Sequence, residues 1–152
     1  NIPEGITNLR IGEEILLPQD LLYLYGYPLN GMYDDVFTLE SQVIEVRDKP
    51  SYPVGELGVD AFGHKPVYID KGIRRKVLLA MGHLDYCDYK DLIPQDKDVE
   101  ILGCSSDHTI MDVTDAPRTY HVGDIVKFNL IYGTNLFLCH SQNVQKVFID
   151  EE

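Results

Sequence analysis

A mostly β domain, sandwich or barrel, is the fold class the sequence predicts, and three observations carry it. Short runs mixing apolar and polar residues recur along the chain, each bounded by Gly, Pro, Asn or Asp. Helical periodicity sustained over about eleven residues is hard to find. No internal repeat or low-complexity tract divides the chain. With 152 residues and 44% hydrophobic content, the chain is long enough for one real core.

The elements follow in order. "NLRIGEEILLP" reads as a short strand containing Gly12 and closed by Pro18. A glycine inside a strand pattern marks a bulge or a close backbone approach. "QDLLYLYGYPLNGMYDD" reads as loop or short helix, with residues 19–25 the best helical candidate. "VFTLESQVIEVRD" is a clear strand with a phase slip near Ser41, the mark of a bulge. "KPSYPVGELGVDAFGHKP" is a structured loop rich in proline and glycine. "PVYID" leads to a turn at Lys71-Gly72, and "IRRKVLLAMG" predicts a strand buried on both faces. "DVEILG" and "HTIMDVTD" are strands joined by a polar knot, "VGDIVKFNLIYG" is another, and "VQKVFIDE" predicts a last one.

Charge and cysteines narrow the function. The net charge of -12 argues against a nucleic-acid surface, which needs clustered cations. The short cluster Arg74-Arg75-Lys76 reads as a solvated strand entrance. Cys87, Cys104 and Cys139 are odd in number and form no CxxC, so neither a disulfide framework nor a structural zinc site is expected. No apolar run reaches the length of a membrane span, and a reducing, cytoplasmic setting fits. The chain opens at Asn1 directly into strand-like sequence, which suggests a piece of a longer polypeptide.

Several polar loops hold candidates for chemistry. In Arg10-Ile11-Gly12-Glu13, the N–H groups of Gly12 and Glu13 could face an anion, against the plainer reading of an exposed edge. In Cys104 to His108, a Cys–His or Ser–His pair could serve as nucleophile and base. The plainer reading is a turn whose side chains hydrogen-bond the backbone. His83, Asp85 and Asp88 have spacings compatible with a metal, but solvated acids under Tyr86 and Tyr89 are favoured. Asp60, between Gly58 and Gly63, is either an acid/base on a fixed loop or an acceptor of turn N–H groups. Tyr132 could give its hydroxyl to an anion or pack as an ordinary tyrosine.

The ordered set "LRIGEEILL", "MYDDVFTLESQVIEV", "PVGELGVDAFGHKP", "GIRRKVLLAMGHLDY", "EILGCSSDHTIMDVTD", "VGDIVKFNLIYG" and "VQKVFID" resembles the C-terminal part of PLP-dependent fold-type III amino-acid racemases. Within them the alanine/ornithine racemase-like branch is the nearest match. The resemblance covers nearly the whole chain apart from residues 18–31. It implies a C-terminal β-barrel or β-sandwich-like domain over residues 32–152. Residues 1–31 would hold the last strand and connection of an upstream α/β barrel that binds pyridoxal 5'-phosphate. It further implies an amino-acid substrate, an α-proton exchange between two bases, and a homodimer.

The same resemblance assigns residues. Arg10 matches the arginine on the cofactor's pyridine nitrogen, where a cation keeps that nitrogen unprotonated and suits racemisation. Gly12 and Glu13 match the backbone pair on the phosphate, and Tyr132 the tyrosine that reaches it. Departures are informative. Alanine racemases carry a catalytic tyrosine in the loop that here reads "VGELGVDAFG", which leaves Asp60 as the acid/base candidate. "GHLDYC" stands for their "GYADGY", which puts His83 at a tyrosine position. "SSD" stands for their "CMD". The more polar set Ser106, Asp107 and His108 would line the substrate end of the pocket and suits a longer, cationic substrate such as ornithine or lysine. The Schiff-base lysine of such enzymes lies upstream, so this segment alone is expected to be inactive. A β module that only binds or dimerises is the alternative, and a hydrolase built on Cys104 and His108 a distant third.

Overall fold

The computed structural model of the protein describes residues 2–59, 63 and 67–149. Six antiparallel strands make one curled sheet in the order β3-β6-β1-β2-β5-β4. They are β1 (Thr38–Pro50), β2 (Ile73–Leu79), β3 (Ile93–Pro94), β4 (Glu100–Cys104), β5 (Thr109–Asp112) and β6 (Ile125–Asn129). Helices α1 (Gln19–Tyr25), α2 (His83–Tyr86) and α3 (Tyr132–His140) flank it. The mostly β class expected from the sequence is what the chain adopts.

Strand β1 organises the sheet. Thr38 to Gln42 pair with Asn129 to Ile125 of β6, and Val43 to Pro50 pair with Leu79 to Ile73 of β2. The register shifts between Val43 and Glu45, which leaves Ile44 as the extra residue. A bulge increases local twist and bends the strand, so β1 passes from one neighbour to the other where the sheet curls. The slip lies slightly beyond the Ser41 position read from the sequence. Two backbone bonds close the corner: the Val43 N–H donates to the Asp124 carbonyl at 2.8 Å and the Ala80 N–H to the Gln42 carbonyl at 3.0 Å.

The concave face holds the core. Leu39 and Val43 of β1, Val77 and Leu79 of β2, Met111 of β5, and Val126 and Phe128 of β6 are buried together. Leu17, Tyr86, Leu92, Tyr120 and Leu138 close it from outside the sheet. Period-two alternation makes this possible, since every second side chain points the same way.

Several sequence expectations are corrected. β2 buries Val77 and Leu79 and leaves the alternate residues Lys76 and Leu78 more open, so it is covered on one face and not two. In an antiparallel sheet one face can remain in water. Residues 2–12 form no strand; the chain is exposed there, followed by a 3-10 turn at Glu13–Ile15. A strand needs a partner for its N–H and C=O groups, and no described segment lies in register with residues 8–12. For the same reason "VYID" and residues 144–149 are unpaired, and Val147, Phe148 and Ile149 are exposed. Conversely, the short helix α1 does form at 19–25, ended by Gly26 with φ 70°, the left-handed conformation that glycine adopts most readily.

The basic cluster at 74–76 is also more structured than a solvated entrance. The Arg74 side chain is only 16% exposed; its Nε lies 2.8 Å from Asp112 Oδ2, and its terminal nitrogens meet Asp115. Burial pushes the Asp112 carboxyl up, but Arg74 and two hydrogen bonds from Thr114 outweigh it and hold the group below the usual carboxylate range. Arg75 pairs across the strand with Asp48 at 2.8 Å.

Candidate functional site

The polar knot is the tip of the β4–β5 hairpin. Cys104 pairs with Thr109, which leaves Ser105, Ser106, Asp107 and His108 as a four-residue turn. The Ser105 N–H donates to the His108 carbonyl at 2.8 Å, and the His108 N–H donates to Ser105 Oγ at 3.1 Å. The turn takes these residues off the extended path of the strands, so the strict alternation of an extended chain no longer applies to them. Ser106, Asp107 and His108 are exposed at this tip.

Helix α2 docks on the tip. The His83 N–H donates to the Ser105 carbonyl at 2.9 Å and the Leu84 N–H to the Ser106 carbonyl at 3.1 Å. These bonds satisfy orphan donors at the start of a helix. The approach is close enough to require glycine at position 82. A Cβ there would sit 2.3 Å from the Ser106 carbonyl oxygen and 2.4 Å from the Asp107 nitrogen. His83 and the 105–108 turn, far apart in the chain, are thereby one structural unit.

A buried polar layer supports the unit. Thr109 Oγ1 donates to the Met81 carbonyl at 2.8 Å, so the Tyr86 hydroxyl, 2.6 Å away, is the donor to Thr109. Burial pushes the Tyr86 phenol far above its ordinary range and keeps it protonated. The Cys104 thiol is an electrostatic neighbour of this hydroxyl, and no hydrogen bond joins Cys104 to the His108 ring among the described residues. Asp85 accepts the Gly82 N–H at 3.0 Å and the Ser141 hydroxyl at 3.0 Å, and Asp88 accepts the Lys90 N–H at 3.0 Å. These local bonds occupy the acids that the sequence offered as possible metal ligands.

A second cluster lies at the other end of α3. Here the Asp20 carboxylate lies near the backbone N–H of Tyr132, which favours its charged form, and near the charges of Glu13, Glu14 and Asp91, which oppose it. Asp20 is thus the common neighbour of the 12–14 turn and of Tyr132. The N–H groups of Gly12 and Glu13 meet no backbone acceptor among the described residues. The Tyr132 hydroxyl has no hydrogen-bond partner among the described residues, and Tyr132 is 46% exposed. Arg10 is exposed and makes no ion pair among the described residues. Open N–H groups, a phenol and a guanidinium are the donor types that fit the phosphate and ring nitrogen of pyridoxal phosphate; the nearby carboxylates oppose the phosphate.

Asp20 gives a pH signature. Its burial raises the carboxyl's pKa most, the Tyr132 N–H lowers it, and Glu13, Glu14 and Asp91 raise it further, with a net upward shift. Its Oδ1 is buried with no hydrogen-bond partner. The folded protein therefore holds this proton more tightly than the unfolded chain, where aspartate titrates near ~3.9. Stability falls as pH rises through that range, and the deficit remains at neutral pH. Asp20→Asn keeps an oxygen for Tyr132 and removes the charge. The expected result is a melting temperature higher by about 2 °C at pH 7 and matching the wild type near pH ~3. A fall at pH 7 would mean the ionised form is stabilising.

The expected residues therefore divide in two. His83, Ser106, Asp107 and His108 share the hairpin end, while Gly12, Glu13 and Tyr132 share the other cluster. Asp60 lies outside the described residues. The sequence reading missed Gly82, Ser141 and Asp20, and offered Asp85 only as a possible metal ligand. Only Gly82 left a signal, a glycine directly after a buried strand and before a short helix.

No family model matches the chain. Ornithine racemase of Acetoanaerobium sticklandii is 50% identical over 145 residues, 95% of this chain and 40% of that protein. Lysine racemase of Thermotoga maritima is 43% identical over 147 residues, 97% of this chain and 40% of that protein. The chain thus spans about 40% of the length of the curated relatives it matches. Among solved structures, alanine racemase of Acinetobacter baumannii superposes with a TM-score of 0.42 and 16% identity, over 70% of this chain and 33% of that chain. Alanine racemase of Bartonella henselae with covalently bound pyridoxal phosphate gives a TM-score of 0.41 and 19% identity, over 59% and 25%. Scores this low carry no argument about the chain.

Proposed function

We propose, from the premise that this chain belongs to the family of the ornithine and lysine racemases, that its full-length polypeptide is a PLP-dependent racemase of a basic diamino acid. Ornithine comes first, since the ornithine racemase shares more of the sequence than the lysine racemase does. Residues 1–31 are read as the end and connection of the cofactor-binding barrel, and residues 32–152 as the C-terminal β domain. The exposed apolar side chains of Ile2, Ile6, Leu9, Ile11, Ile15 and Leu16 support that reading, because such a stripe calls for cover.

The observation that carries the proposal is the docking of His83 onto the 105–108 turn. It puts an imidazole, two hydroxyls, a carboxylate and a second imidazole at one end of the sheet. Racemisation needs a proton taken from the α-carbon on one face and another delivered to the opposite face. His83 or Asp60 serves as base on one face, and the upstream lysine on the other. Ser106, Asp107 and His108 form the polar rim that receives the distal ammonium group of the substrate. Arg10, Gly12, Glu13 and Tyr132 would hold pyridoxal phosphate, which when bound supplies the electron sink that acidifies the α-C–H bond. The two clusters lie at opposite ends of α3, a nine-residue helix of roughly 13 Å. That separation suits a cytoplasmic homodimer in which one protomer's hairpin end completes its partner's site.

The test is racemisation of L-ornithine, L-lysine and L-alanine with PLP added, followed by polarimetry, for the full-length polypeptide and for this chain in parallel. The expected result is turnover of a diamino acid by the full-length protein and none by the chain alone. In the full-length protein, His83→Ala or Asp60→Asn is expected to lower kcat by about 100-fold or more. A full-length protein inert on all three amino acids would overturn the assignment.

A further inference from the structure

Helix α2 has four residues, too few to hold its own position in water. Its N-terminus is fixed by the two bonds to the hairpin turn. The remaining constraint runs through Asp85, whose residue surface is only 8% exposed. Oδ2 accepts the Gly82 N–H within the same turn of chain. A local cap needs no more than that. Yet Oδ1 accepts the hydroxyl of Ser141, 56 residues away in sequence, at 3.0 Å.

Ser141 is itself well placed. It is the residue on which α3 ends: its N–H donates to the Phe137 carbonyl at 2.9 Å, and its Oγ accepts the Asn143 N–H at 3.2 Å. The far end of α3 begins with Tyr132 in the second cluster. A continuous series of covalent and hydrogen-bonded steps therefore joins Tyr132, α3, Ser141, Asp85, Gly82 and the turn that carries Ser106 and Asp107.

We infer that the Ser141–Asp85 hydrogen bond is a positioning contact, which sets the place of α2 against α3 and so aims His83 and the 105–108 turn at the amino-acid substrate. The inference rests on the racemase reading for the identity of that substrate. Asp85 and Ser141 touch neither substrate nor cofactor; they act through His83 and the turn.

The mild variant is Ser141→Ala, with Ser141→Thr as the conservative control that keeps the hydroxyl. Both are made in the full-length polypeptide. The amide hydrogens of His83 and Leu84 report the docking directly, because both are spent on the hairpin turn. Loss of one supporting hydrogen bond is expected to speed their exchange by up to about tenfold in Ser141→Ala. Ser141→Thr should return the rates to wild type. In the same variants the KM for the diamino acid should rise about threefold to tenfold while kcat stays within about twofold, again restored by threonine. A purely structural role would lower the amount of folded enzyme and leave KM alone.

Unchanged exchange at both amides overturns the inference, as does faster exchange with an unchanged KM. Should the wild-type protein turn over none of the amino acids, the racemase reading fails by itself. The exchange rates still decide whether the bond positions α2.

Discussion

Gly82→Ala is expected, on the proposed racemase function, to lower kcat/KM of the full-length polypeptide by about two orders of magnitude. The reason is purely steric. Gly82 has φ -148° and ψ -168°, extended backbone that alanine adopts without strain. The obstruction is the added Cβ, which meets the Ser106 carbonyl oxygen at 2.3 Å, and the Asp107 nitrogen and Ser106 carbonyl carbon at 2.4 Å. All three are main-chain atoms, so no side chain can rotate away. Either α2 or the hairpin turn must move, and the bonds from His83 and Leu84 to Ser105 and Ser106 stretch or break. A misplacement on the order of 1 Å in a positioning element is enough for a loss of that size. Steady-state kinetics with thermal melting checks this. Wild-type turnover in Gly82→Ala would mean that the 83–108 unit does not contact the substrate.

The largest stability loss is expected from Phe128→Ala, about 3–5 kcal/mol in urea unfolding. Phe128 is fully buried in β6, which pairs with β1 on one side and β3 on the other, opposite Leu39 and Pro94. Removing the ring deletes a large apolar contact area and leaves a space that neighbours anchored in strands fill poorly. Phe128→Leu keeps most of the volume and should cost about 1 kcal/mol. Equal losses for the two variants would indicate that ring shape, and not the cavity, governs the site.

How much of this was legible follows from what each signal depends on. β1, β2 and β5 show in the sequence because side-chain alternation is local, and each stretch finds a partner. The same signal misleads at residues 8–12 and 144–149, where apolar and polar residues mix but no partner strand is present among the described residues. Helix α3 was hidden. "YGTNLFLCH" contains Gly, Thr and Asn, poor helix formers, and its buried residues Thr134 and Leu138 give only a thin apolar stripe. Packing against α2, with Leu138 in the core, and not propensity, holds it.

The candidate site was legible residue by residue but not as a place. His83 and Ser106 stood out as polar residues at strand ends. Their meeting depends on the β4–β5 register and on the missing Cβ of Gly82, which no local pattern encodes. The pairing of Asp85 with Ser141 was invisible for the same reason, since a hydrogen bond across 56 residues leaves no periodicity.

Strand β1 has one more consequence, for the order in which the chain assembles. It forms half its ladder with β2 across a connection of moderate length and the other half with β6, roughly ninety residues away between Thr38 and Asn129. The first pairing closes a small loop and is entropically cheap; the second encloses most of the domain and must wait. β1 is therefore the clasp of the domain. Refolding should end, and unfolding begin, at residues 38–42, so two halves that share one strand melt as a single cooperative unit.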